Sequence, residues 1–153
     1  MSYQWAAALA LHQLGVIVWV GGMFFAHMAL RPAAGELLSP PQRLPLLLRV
    51  FDRFFPWVWG SVTLLWASGL WILFSVFGGR AGFAIHLMMG IAFVMTVLFA
   101  FLWGVPYKRL KVAVAASDWP VAGAHLATIR RVILTNLILG LGTAVLGAAG
   151  RYI

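Results

Sequence analysis

The 153-residue chain has no cysteine and carries only three acidic residues. The first absence removes disulfides, thiolate metal sites and thiol nucleophiles together, and it leaves the redox compartment open. The second is sharper because of where the three fall. Glu36, Asp52 and Asp118 all lie between apolar runs, so no carboxylate is expected inside a membrane span. Proton relays and carboxylate metal cages of the usual kind are thereby disfavoured. No nucleophilic triad and no phosphate-cradling glycine loop is recognisable either. Charged residues make up only 9% of the chain against 63% hydrophobic, and the mean hydropathy is +0.98. Such values lie far outside those of soluble domains and indicate an integral membrane protein. The N-terminus has no basic region ahead of its apolar run, and no cleavage site followed by a soluble domain is seen. The first run is therefore expected to stay in the membrane.

What is present is four apolar runs, at about residues 5–30, 54–77, 82–105 and 132–149. Each is close to the roughly 20 residues that cross a hydrocarbon core. They predict an all-α fold: an integral membrane four-helix bundle running up, down, up and down, in one domain over residues 1–153. A membrane barrel would need segments of about ten residues with alternating polarity, and these runs are continuous. Arg31, Arg43, Arg49 and Arg53 lie between the first and second runs, and Lys108, Arg109, Lys111, Arg130 and Arg131 between the third and fourth. The other side holds only Arg80 and Arg151. The positive-inside bias then places both termini outward and both long connections in the cytoplasm, in what reads as a bacterial inner membrane. Trp5 and Trp71 fall near the outer interface and Trp57, Trp59, Trp103 and Trp119 near the inner one, as amphipathic rings tend to do. The same flanking cations explain the net charge of +8 as topology and attraction to anionic headgroups, with no indication of nucleic-acid binding.

The inner connections have structure of their own. Leu44, Leu47, Leu48 and Phe51 recur at helical spacing after Ser39, Pro40 and Pro41, which predicts a short interfacial helix before Pro56 opens the second span. Asp118, ahead of Trp119 and Pro120, is a candidate N-cap, so the fourth helix is expected to start near residue 119 with His125 outside the bilayer. Ser61, Ser68 and Ser75 share a face of the second helix, and Asn136, Gly140, Thr143 and Gly147 a face of the fourth, as packing seams do.

With acids gone from the spans, the histidines carry the available chemistry. His12 and His86 are predicted roughly 10 Å and roughly 6 Å below the outer ends of the first and third helices. In a four-helix bundle those helices stand on a diagonal of roughly 14 Å. A planar macrocycle with one imidazole on each side of its iron can use that separation. Gly15 and Gly90 lie one turn from His12 and His86 and leave room for a flat ring, while Trp19 and Phe93 are suitable apolar linings. His12, Trp19 and Met23 fall nearly on one line of the first helix, with Gly15 and His27 beside it. His27 lies roughly 22 Å from His12 along the helix and cannot share its site. It is a candidate for a second, inner site with Met23 and Met28 or with His125, or for a headgroup-level anchor. The plainer reading of His12 and His86 is a pair of neutral imidazoles bonded to helix carbonyls or to Gln13. Function is favoured because ionisable residues inside a span mark functional sites by default.

The runs LHQLGVIVWVGGMFF, RVFDRFFPWVWG, AIHLMMG and VPYKRL together resemble the CopD-type membrane domain family, named for copper resistance. The resemblance covers essentially the whole chain, and the histidine followed by WVGG is its most specific piece. The four-helix plan is also distantly similar to the HemJ-type protoporphyrinogen oxidases, whose members are associated with haem. The resemblance implies that His12 and His86 are the positions to examine, without settling copper against haem; no oxidase active site is carried over from the weaker likeness.

The leading expectation is a haem b protein of the inner membrane, with His12 and His86 as axial ligands near the outer face. It would act in electron transfer or in a quinone-linked or oxidant-linked redox step, and whether it is a membrane oxidoreductase stays open. The runner-up is a copper-binding or copper-transporting membrane protein, for which His86 with Met88 or Met89, or His27 with Met23 and Met28, offers soft donors at helical spacing. The third reading is a cofactor-free subunit whose apolar faces assemble with a larger complex. Expected partners are the lipid bilayer, a quinone or redox protein, and further copies or a larger membrane complex.

Overall fold

A backbone in hydrocarbon must satisfy its own N–H and C=O groups, so uninterrupted apolar runs fold as helices. The computed structural model describes residues 3–149 and is helical almost throughout, with no strand among the described residues. Arg151, one of the two cations assigned to the outer side, lies outside the described residues. The helices are α1 (Tyr3–Leu37), α2 (Pro40–Ser75), α3 (Phe83–Gly104), α4 (Pro106–Ala115) and α5 (Trp119–Ala149). Four helical stretches are long and apolar enough to cross a membrane: α1, α2, α3 continued by α4, and α5. At 31 to 36 residues each exceeds what the hydrocarbon core requires.

The helix boundaries have local causes. Ser39 and Gln42 form a capping box at the start of α2. A separate interfacial helix before Pro56 is not formed; α2 runs unbroken from Pro40 to Ser75 with Pro45 and Pro56 inside it. The reason is packing. Leu44, Leu47, Phe51, Phe55, Val58 and Val62 are all buried at helical spacing through both prolines, so one continuous stripe holds the helix together across the missing N–H groups. Gly78 and Gly79, at φ +57° and +77°, turn the chain toward α3 in a conformation that L side chains disfavour. Val105, restricted by the following proline, leaves helical geometry at φ −120° and ψ −76°, and Pro106 opens α4. Asp118 Oδ1 accepts from the Val121 N–H at 3.2 Å, so the cap expected for α5 is present at the expected place. Two π-helical turns in α1, at Ile17–Gly21 and Ala26–Leu30, were not foreshadowed by any residue pattern.

The core is a chain of aromatic edge-to-face contacts. Phe99 meets Trp19, Phe55 and Trp59, and Phe55 meets Tyr107, with ring centroids 4.8–6.2 Å apart. Small residues let helices approach. Gly15 lies against Leu65 and the Ser61 carbonyl, Gly22 against Phe54, and Gly140 against Val20 and Met95. Along α1 the contact positions rise through 12, 15 and 22 while their α2 partners fall through 68, 65 and 54. Between α3 and α5 the pairs are Met95 with Asn136 and Met88 with Gly147. The predicted seams are thus real in part: Ser61, Ser68, Asn136 and Gly140 are buried, whereas Ser75 and Gly147 are exposed.

Candidate functional site

His12 projects from α1 onto α2. Its Nδ1 lies 2.9 Å from Ser68 Oγ, and its Cε1 would stand 3.3 Å from a Cβ at Gly69, so the glycine makes room for the ring. Proton bookkeeping fixes the tautomer. The one hydroxyl proton of Ser68 is donated to the Leu64 carbonyl at 2.6 Å, so Ser68 accepts from His12 and Nδ1 carries the hydrogen. The lone pair of the neutral ring is therefore on Nε2. Ser68 is itself buried and holds this arrangement from within the α2 backbone.

His86 is anchored through the same ring nitrogen by another route. Its Nδ1 lies 3.2 Å from the Gly82 carbonyl, which can only accept, so Nδ1 again donates, and in the neutral ring the lone pair falls on Nε2. Its placement differs from that of His12. His86, Gly90, Phe93 and Val97 form an exposed stripe on α3, roughly half a turn away from the buried Met95 and Phe99. His86 and Gly90 line a shallow apolar hollow with Leu139 of α5. The two imidazoles thus both donate through Nδ1 but stand in different surroundings: His12 is taken up by α2, and His86 is exposed on α3. The hollow beside His86 does not have His12 in its wall. Gly15 and Trp19 do sit on the interior face of α1, both buried, whereas Gly90 and Phe93 are exposed.

The inner candidates also separate. Met23 is 3% exposed and packed in the core, Met28 is 57% exposed, and Met89 is half-buried on α3. Among the described residues no three His, Asp or Glu side chains are gathered as a metal would need. His27 lines a cavity of about 460 Å³ where the end of α1 and the starts of α2 and α5 meet, together with Arg31, Arg43 and Arg130. His125, although half-buried, is not part of its wall.

Two polar groupings escaped the sequence reading. Asp52 accepts from Tyr107 and from Lys111, the latter at 3.0 Å, which ties α2 to α4. Their separation of more than fifty residues gives no local signal. Buried Asn136 donates to the Met95 carbonyl at 3.1 Å while its Oδ1 has no partner among the described residues; its place in a helix seam was readable, but its carbonyl partner was not.

No protein-family model, no curated protein and no solved structure matches the chain.

Proposed function

We propose that the protein is an integral membrane haem b protein with an electron-transfer or redox role. The single observation that carries this reading is the shared tautomer of His12 and His86. Each ring is anchored through Nδ1–H, which in the neutral ring leaves the Nε2 lone pair that an iron ligand needs, with the other nitrogen hydrogen-bonded as in metal-ligating histidines. The donor atoms fit haem; their placement fits it less well. With His86 on the exposed stripe of α3, we take His12 as the ligand on the α1–α2 seam. We take His86 as a ligand offered at the bundle surface. Bound haem would supply one-electron chemistry, and the chain's own part would be to fix imidazole orientation through Ser68 and Gly82.

The topology belongs to the same proposal. Contact positions that fall along α2 and α5 as they rise along α1 and α3 support neighbouring helices of opposite direction. The basic residues concentrated on two connections support outward termini and a bacterial inner membrane. The test is to purify the protein in mild detergent after expression with ample haem, and to record oxidised and reduced spectra with metal analysis on the same sample. Reduced haem b bands with stoichiometric iron are expected. Stoichiometric copper without haem would replace this reading with the copper one, and neither group would leave a cofactor-free membrane subunit.

A further inference from the structure

The basic residues of the inner connections are not equivalent. Lys108 and Arg109 are exposed on α4, with Lys108 lying over the Trp103 ring. Lys111 and Arg49 are neutralised in part by Asp52. Arg31, Arg43 and Arg130 come from three different helices and line one cavity beside His27. None of the three has a carboxylate partner among the described residues, and neither Glu36 nor Asp118 belongs to the wall. Arg43 passes close over Gly35, its Nη1 3.7 Å from where a Cβ would stand, so the absence of a side chain there gives the guanidinium its place.

The rest of the wall is of the opposite character. Leu30, Leu44, Leu47, Phe51 and Ile133 supply an apolar side continuous with the core, and Trp119 with Pro120 stands at the start of α5. Three converging guanidiniums with no counter-charge call for an anion, and forked donors match the oxygens of phosphate. An apolar wall leading away from the cations calls for a tail on that anion. A small soluble anion would leave the wall unused. On the orientation proposed above, the cavity also opens at the level of the inner headgroups, where anionic lipids are held by basic residues.

We propose that this cavity is a specific site for an anionic phospholipid of the inner leaflet, its phosphate held by Arg31, Arg43 and Arg130 and an acyl chain laid on the Leu44–Phe51 wall. The lipid would tie α1, α2 and α5 together, since each contributes one of the three cations. This differs from diffuse attraction between a basic surface and the bilayer, because it depends on the space as well as on the charge. Gly123 shows how to separate them: it lines the cavity, and a Cβ there meets nothing within 4 Å, so a larger side chain fills the space without disturbing the helix contacts.

The experiment titrates the delipidated full chain in detergent with dioleoyl phosphatidylglycerol, dioleoyl phosphatidylcholine or inorganic phosphate, following bound lipid by native mass spectrometry and thermal stability in parallel. One saturable phosphatidylglycerol site is expected, with weaker binding of phosphatidylcholine. The double variant Arg43→Gln, Arg130→Gln should bind phosphatidylglycerol about thirtyfold more weakly. Gly123→Leu, with every charge kept, should lose the site as well, and it serves if the arginine variant does not fold. The exposed pair Lys108→Gln, Arg109→Gln should bind as the parent does. Equal loss in that exposed pair, equal binding of phosphatidylcholine, or full binding by Gly123→Leu would overturn the proposal. Inorganic phosphate that stabilises as well as phosphatidylglycerol would also overturn it, by making the ligand a soluble anion.

Discussion

Among the described residues, Asp52 is the carboxylate that joins α2 to α4. It lies beyond the apolar runs and joins Tyr107, Lys111 and Arg49. Burial pushes its carboxyl up, but hydrogen bonds from Tyr107 and Lys111, with the charges of Lys111 and Arg49, outweigh burial and hold it below its ordinary value. A carboxyl whose folded pKa is lowered adds stability that is complete above about pH 4 and is lost as pH falls through the folded value. Burial and then the hydrogen bond to Asp52 push the Tyr107 phenol up, and hydrogen bonds with Tyr107 and Asp52 hold the Lys111 ammonium up. Their contribution is complete below about pH 10 and is lost as pH rises through the folded values. In thermal unfolding in detergent, the contribution of this Asp52–Tyr107–Lys111 junction should therefore be a plateau between those limits and weaken on both sides. Asp52→Asn should lower the plateau by about 1 kcal/mol, since Lys111 is half exposed, and should remove the acid limb. An unchanged acid limb in that variant would show that other carboxylates govern it.

Among the elements, the α1–α2 pair has the tightest seam. A Cβ at Gly15 would stand 2.9 Å from Leu65 Cγ and 3.3 Å from the Ser61 carbonyl, whereas one at Gly60 meets nothing within 4 Å. Gly15→Val should cost about 1–3 kcal/mol by overpacking, and Gly60→Ala should cost nothing measurable, as read from detergent melting. Comparable loss at both positions would mean that the seam does not decide the packing. The elements were legible where a single helix carries the signal. The four apolar runs, the Asp118 cap and the interior face of α1 with Gly15, Trp19 and Met23 could be read from periodicity. The continuity of α2 through Pro45 and Pro56 could not, because local proline chemistry argues for a break and only the buried stripe overrides it. The histidines were legible as polar residues within apolar runs, and their surroundings were not. A lone histidine in a span announces itself, but the facing of α3 depends on which neighbour covers it. No property of AIHLMMG says that Met95 rather than His86 faces inward. Ser68 was visible only as a small residue in a seam, since its role follows from the donor accounting at His12.

For the whole molecule, a chain without cysteine makes orientation directly measurable. Val76 follows α2 and Ala116 follows α4, and both are exposed. In intact cells a membrane-impermeant maleimide should label Val76→Cys at once, and Ala116→Cys only after permeabilisation; the reverse pattern would invert the proposed topology. The central claim is narrower and concerns one nitrogen, His12 Nε2. Its most direct test is the reduced-minus-oxidised spectrum of His12→Gly prepared with ample haem, recorded without and then with added imidazole. The claim predicts loss of most of the haem b bands in His12→Gly and their recovery when imidazole refills the space, with Ser68→Ala weakening haem retention less than His12→Gly does. Parent-like haem bands and haem content in His12→Gly without imidazole would contradict it.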